Sequence, residues 1–211
     1  MKNLQSVLTP AVFLCAALLF VKPVKAQTMD MQNMPMPATS GIKNVYLSMM
    51  DTMMVAMDKA ATQNGADQDF LAQMIPHHEG AIAMAQYEIN HGNNFEMIQL
   101  AKSILQEQNS EVAQMRLWLN DLSSRPATIP AGYNQAMDKA MGIMMKNMPS
   151  SDSLTNTDCA FALVMIPHHQ AAIDMAKVVL KYPENPQVAA YAKLLISNEQ
   201  VEIEQMKTFT N

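Results

Sequence analysis

Cysteine is almost missing from this chain, whose 211 residues include only Cys15 and Cys159. Cys15 lies in an apolar stretch from Val7 to Val21, preceded by Lys2 and followed by Val24-Lys25-Ala26, the layout of a signal peptide cleaved before Gln27. The bulky Phe13 and Leu14 before it disfavour a lipid-attachment box. Export leaves one thiol, no intramolecular disulfide, and 185 residues that must rely on a core or on metal for stability. Long apolar runs are missing as well. The leader stretch is shorter than the roughly 20 residues of a membrane span, and nothing after it is apolar enough to serve. Basic side chains are in deficit: without Lys2, Lys22 and Lys25, eleven of the fourteen Lys and Arg remain against nineteen Asp and Glu, a formal charge of −8. That balance disfavours nucleic-acid binding. No phosphate loop, dinucleotide fingerprint or Gly-x-Ser-x-Gly elbow occurs, which removes the common nucleotide-dependent and serine-hydrolase chemistries. Glycine is sparse, and Gly41, Gly65, Gly92 and Gly132 fall near segment ends. The Ala, Leu, Met and Gln between them are helix composition.

Methionine is the residue in excess, at 22 of 211, and a methionine opens the most informative motif. Met-Ile-Pro-His-His occurs at Met74 to His78 and again at Met165 to His169, and holds four of the five histidines. Displacing the chain by 91 positions aligns Phe70 to Met115 with Phe161 to Met206 without a gap, with 16 identities in 46 places. Unrelated helices of this composition would match at roughly three or four, so the chain is internally duplicated. The Met-rich segments correspond too, since Met50-Asp51, Met54 and Met57 match Met137-Asp138, Met141 and Met144.

Residues 1–26 are thus expected to be a signal peptide, and residues 27–43, with two prolines and no apolar stripe, a disordered Met-rich tail. Residues 44–211 form a helical domain with halves 44–122 and 133–211, joined by the Pro-rich linker from Ser123 to Pro130. The predicted helices run from about Asn44 to Gln63, from an Asp67 cap to a left-handed stop at Gly92, and from Asn94 to Leu122. In the second half they run from Tyr133 to Met148, from Asp158 to Lys181, and from Asn185 onward, with Pro186 in the first turn. Short connections at Gly92 and Pro183 make neighbours antiparallel. The expected fold is an all-α four-helix bundle with the Met-rich helices against its ends or sides.

On a helical wheel Phe70, His77, Met84 and His91 share a row beside Met74, Ala81 and Glu88, and Phe161, His168, Met175 and Tyr182 repeat it beside Met165 and Ala172. Adjacent histidines lie about 100° apart, so one of each pair can face the bundle axis and the other a neighbouring helix. Pro76 and Pro167 withhold an amide inside these segments and should bend them. The partner helices place Gln108, Glu111, Glu199 and Glu202 on core-type positions. Unpaired buried carboxylates cost several kcal/mol, roughly, or move upward in pKa, so imidazoles are their natural partners. These groups either form a purely structural polar network, or they orient imidazoles whose other nitrogen stays free to coordinate.

Helical Met54, Met57, Met141 and Met144 fit core filling better than ligation. The tail methionines Met29, Met31, Met34 and Met36 have no core to fill, and neutral thioethers select Cu(I) and silver over harder ions. Imidazole extends the range to Cu(II) and zinc. Cys159 reads better as a small buried hydrophobe than as a thiolate ligand. Glu88-x-x-His91 matches half of a di-iron carboxylate element, but the second half has Val179 and Tyr182 in its place.

Phe70-x-x-x-Met-Ile-Pro-His-His-x-x-Ala-Ile-x-Met-Ala, then Gln108-x-x-Glu-Val-x-x-Met-x-x-Trp-Leu, then a second histidine copy, resembles domain-of-unknown-function family 305 from about Tyr46 to Phe209. The resemblance implies a ferritin-like bundle and, from its exported members, a copper role. Its motif falls on Met74, His77, His78 and Met84, and on Met165, His168, His169 and Met175, while Glu199 departs from the family's glutamine. The expected protein is a periplasmic or secreted one that sequesters or hands over copper, Cu(I) ahead of Cu(II), without turnover. The expected metal ligands are the four motif histidines, Met74, Met84, Met165, Met175 and the tail methionines, with Gln108, Glu111, Glu199 and Glu202 behind them. A copper-exporting or copper-accepting protein is the implied partner, and a homodimer is left open. The rival readings are a metal-dependent oxidase on the same bundle and a metal-free partner-binding module.

Overall fold

Four asparagines decide where helices begin. The Oδ1 atoms of Asn44, Asn94, Asn156 and Asn185 accept the amides of Tyr46, Met97, Cys159 and Gln187 at 2.8 to 3.0 Å, satisfying donors that a helix start leaves open. The structure is a computed structural model that describes residues 43–60 and 64–210. It contains α1 (Val45–Lys59), α2 (Ala66–His91), α3 (Phe95–Leu122), α4 (Tyr133–Asn147), α5 (Thr157–Val179) and α6 (Pro186–Lys207), with one 3-10 turn at Ser151–Ser153. No strand occurs among the described residues, and no helix there is long and apolar enough to cross a membrane. The expected leader and nearly all of the Met-rich tail lie outside the described residues.

The chain is an all-α bundle centred on α2 and α5, which face each other. α3 packs on α2 and α6 on α5, while α1 lies along α2 and α4 along α5. The Met-rich helices therefore cover the sides of the central pair. The central pair is antiparallel, because Asp67 at the start of α2 reaches Asn185 beyond the end of α5, and Asp158 at the start of α5 reaches Asn94 beyond the end of α2. Phe70, Phe161, Met74 and Met165 have no solvent exposure, and each such side chain stabilises the fold by about 1.5–3 kcal/mol. Gly80 admits α1: a Cβ there would stand 2.7 to 2.9 Å from Met53 side-chain atoms. Both central helices run without a break through Pro76 and Pro167.

Two expected helix ends differ. Asp67 does not cap α2, whose N-cap is Gly65. Its Oδ2 instead accepts the Asn185 amide at 2.5 Å, a partner 118 residues away. Gly92 is extended, with φ −67° and ψ 157°, and not left-handed. Its value is space, because a Cβ would lie 2.4 Å from Glu88 Oε1. α1 also stops sooner, at Lys59.

Candidate metal centre

The centre forms where α2 and α5 meet. One histidine of each pair turns inward, and the His77 and His168 rings stack with centroids 3.8 Å apart and planes 36° from parallel. His168 Nε2 lies 3.1 Å from the His77 carbonyl oxygen. A carbonyl only accepts, so His168 carries its proton on Nε2 and presents the Nδ1 lone pair. The outer rings turn away, with centroids 6.3 Å (His77 to His78) and 5.8 Å (His168 to His169) from their neighbours. This is the divergence that consecutive helical positions impose.

Each outer imidazole meets a carboxylate from the adjacent helix. His78 Nε2 donates to Glu111 Oε2 and His169 Nε2 to Glu202 Oε2, both at 2.8 Å. Those bonds again leave Nδ1 as the free nitrogen. Tyr191 strengthens one of the two: its hydroxyl donates to Glu111 Oε2 at 3.2 Å and lies 3.1 Å from His78 Nε2. Burial, and after it the Glu111 charge, raise the Tyr191 phenol well above its ordinary value, so it remains a donor. Sequence reasoning missed Tyr191. The 91-residue offset pairs it with Leu100, one of thirty differing places among the 46 aligned, so the sequence did not single it out.

Five ring nitrogens in this cluster are enclosed and unpartnered: both of His77, and Nδ1 of His78, His168 and His169. All four side chains are fully buried. Leaving a buried polar atom unsatisfied costs about 1–3 kcal/mol, so the cluster is held in a state that a ligand to those nitrogens would relieve. Burial, reinforced by the neighbouring imidazoles, lowers His77 and His168 well below the ordinary histidine value. Both are therefore neutral and have no proton to lose before coordinating.

The remaining expected site residues are distributed more widely. Gln108 and Glu199 reach no histidine; they face each other, with Gln108 Nε2 3.5 Å from Glu199 Oε1. Burial, and after it the Glu202, Glu111 and Glu107 charges, hold the Glu199 carboxyl well above its usual range. Met74, Met84, Met165 and Met175 are enclosed without solvent exposure. Met29, Met31, Met34 and Met36 lie outside the described residues. Cys159, half-buried in the first turn of α5, is a free thiol. Glu88 and His91 separate: Glu88 accepts the Tyr46 hydroxyl at 2.6 Å in the core, whereas exposed His91 stacks on Tyr87 at 3.9 Å. Among the described residues no three His, Cys, Asp or Glu side chains converge into a ready metal cage.

Two grooves between α3 and α6 are lined in part by the carboxylates that bind the outer imidazoles. One, of about 440 Å³, includes Glu111 in its lining, and the other, of about 730 Å³, includes Glu202. The two carboxylates that hold His78 and His169 thus also face the outside.

The family described as domain of unknown function (DUF305) matches the chain twice, over residues 20–119 and 109–210. No curated protein matches it. Among solved structures, CopM in its Cu(I)-bound form is 30% identical, covering 68% of this chain and 94% of that one, with a TM-score of 0.53. CopM in its Cu(II)-bound form is 28% identical, covering 68% and 95%, with the same TM-score of 0.53. A DUF305 fragment from Deinococcus radiodurans is 21% identical over 71% of this chain and 98% of that one, with a TM-score of 0.52, a likeness of fold.

Proposed function

The chain belongs to the DUF305 family, and from that premise we infer that it is an exported copper-binding protein that sequesters the ion or hands it on without turnover. One observation carries this reading: four fully buried imidazoles leave five ring nitrogens without partners. Three of the rings are oriented by a carboxylate or carbonyl on Nε2, the arrangement that fixes the tautomer of a histidine ligand. CopM, with which this chain shares 30% identity, is known in a Cu(I)-bound form, which supports copper as the cargo.

Neutral imidazoles and thioethers favour Cu(I), and imidazoles alone admit Cu(II). In this reading His77, His78, His168 and His169 hold the ion, with Met74, Met84, Met165 and Met175 as neighbouring soft donors. Glu111 and Glu202 fix the outer rings. Residues 1–26 direct export to the periplasm or beyond, and Met29, Met31, Met34 and Met36 in the tail capture the ion first. Exchange among weak thioethers then lets the ion pass to a copper-exporting or copper-accepting protein.

The test compares copper titrations of the parent protein with those of two variants. His77→Leu/His168→Leu fills the inner volume with carbon, and His78→Gln/His169→Gln keeps a donor toward each glutamate. Each is expected to bind Cu(II) at least tenfold more weakly while keeping its helical circular dichroism. Parent-like Cu(II) affinity in both folded variants would refute the assignment.

A further inference from the structure

Between α3 and α6 two pairs of side chains meet that the histidine centre leaves unused. Glu107 of α3 accepts the Asn198 amide of α6 at 2.5 Å, and one position further along each helix Gln108 faces Glu199. The partners in both pairs are 91 residues apart, so each residue meets its own counterpart in the other copy, as His77 meets His168. The copies have diverged at both places, and in opposite senses. α3 contributes Glu107 and Gln108 while α6 contributes Asn198 and Glu199, so two carboxyls and two amides come together where identical copies would set like against like.

Glu107 and Asn198 are half-buried and line both grooves between the two helices. Gln108 and Glu199 lie deeper, at 2 and 3% exposure. Their contact is incomplete. A neutral carboxyl and an amide can satisfy each other with two short hydrogen bonds, whereas here the one bond is stretched to 3.5 Å, and Gln108 Oε1 and Glu199 Oε2 are both enclosed without a partner. Enclosing two unsatisfied oxygens is unfavourable unless something engages them. Positive charge is scarce around them: Glu111 and Glu202 form ion pairs only with histidine, and neither groove is lined by lysine or arginine. Burial, and after it the Glu202, Glu111 and Glu107 charges, oppose ionisation of Glu199, and a bound dication would offset those charges.

We propose that Glu107, Gln108, Asn198 and Glu199 form a second cation site, which takes a hard divalent ion of the Mg(II), Ca(II) or Mn(II) class through the two carboxyls and the two amide oxygens. Hard dications prefer oxygen to nitrogen or sulfur and accept carboxylate and amide carbonyl in one shell. Two carboxylates match the charge of one such ion, and water from the grooves completes its coordination. Gln108 Oε1 and Glu199 Oε2, which lack partners, are the oxygens it would engage in the interior. No imidazole or thioether takes part, so the site stands independently of the copper reading.

The experiment titrates the metal-free full chain with Mn(II) and reads the free ion by its electron paramagnetic resonance signal. The parent is expected to hold one equivalent, and folded His77→Leu/His168→Leu protein to hold it equally well. Glu199→Gln preserves shape and removes the charge from the interior, and Glu107→Gln does the same from the half-buried side. Each is expected to weaken that equivalent by roughly tenfold or more, because affinity follows the number of charged ligands, while helical circular dichroism stays parent-like. Glu88→Gln, which removes a buried carboxyl elsewhere, should bind Mn(II) as the parent does. The proposal is overturned if the parent takes up no equivalent at millimolar Mn(II), if either folded glutamine variant at position 107 or 199 binds as tightly as the parent, or if the equivalent is lost from folded His77→Leu/His168→Leu protein. Should Glu199→Gln fail to fold, the half-buried Glu107→Gln decides.

Discussion

Glu88 has no solvent exposure, accepts the Tyr46 hydroxyl, and is pushed by burial up to about 7 despite that bond, with the Asp158 charge adding to the rise. A carboxyl whose folded value exceeds its unfolded value of about 4.5 binds its proton more tightly in the fold. Its contribution to stability is complete below about pH 4.5 and is lost as pH rises through about 7. Glu88→Gln keeps an acceptor for Tyr46 and removes the titration. We predict that the variant gains about 2 kcal/mol on the parent between pH 5 and pH 8, read from urea midpoints of metal-free protein. An unchanged difference at the two pH values would show that Glu88 does not titrate in this window. At this scale the sequence was partly legible. The periodicity placed Glu88, Glu111, Glu202 and all four motif histidines on inward or seam positions, because helical geometry alone fixes that. Tyr46 and Tyr191 escaped notice, since no spacing tells which distant hydroxyl a buried carboxylate will meet.

Helix starts near Asn44, Asn94 and Asn185 were legible because the capping oxygen and the amide it accepts are two or three residues apart, whereas the helix capped by Asn156 was expected to begin only at Asp158. Gly92 was placed correctly as a boundary but for another reason, room for Glu88 in place of a positive φ. Asp67 was misread because its partner is remote. It and Asp158 form a reciprocal pair: each sits in the first turn of one central helix and binds the amide of the N-cap residue of the other half's outer helix. Asp158 binds two, those of Asn94 at 2.8 Å and Asn93 at 3.0 Å. Against burial, which alone would raise it, the Asn94 amide, the Glu88 carboxyl and the Asn93 amide hold Asp158 below its usual range. Asp158→Ala orphans both amides. It should destabilise the protein by about 2 kcal/mol, with hydrogen exchange accelerating first in the initial turn of α3. Protection in that turn equal to the parent's would contradict the pairing.

Across the whole molecule the duplication is what makes sequence and structure agree. The 91-residue offset relates His77 to His168, Glu111 to Glu202 and Asp67 to Asp158; the antiparallel central helices stack the His77 and His168 rings and set Asp67 and Asp158 at opposite ends of the pair. Repetition was visible in the chain; its local failures were informative only once packing showed what surrounded them. Tyr191 opposite Leu100 is one such failure, and it falls where chemistry is proposed. An all-α bundle could be expected from composition and loop lengths, whereas the stacking of His77 on His168 could not, because contact between equivalent residues depends on how two helices cross.

In the proposed function the free nitrogens of these imidazoles bind copper. X-ray absorption at the copper edge, recorded on protein loaded with one equivalent of Cu(I), is the test, because it tells nitrogen from sulfur scatterers. Nitrogen scatterers with the outer-shell pattern of imidazole rings are expected, and are expected to be lost in His77→Leu/His168→Leu. A spectrum fitted by sulfur alone, unchanged when the inner histidines are replaced, would contradict it.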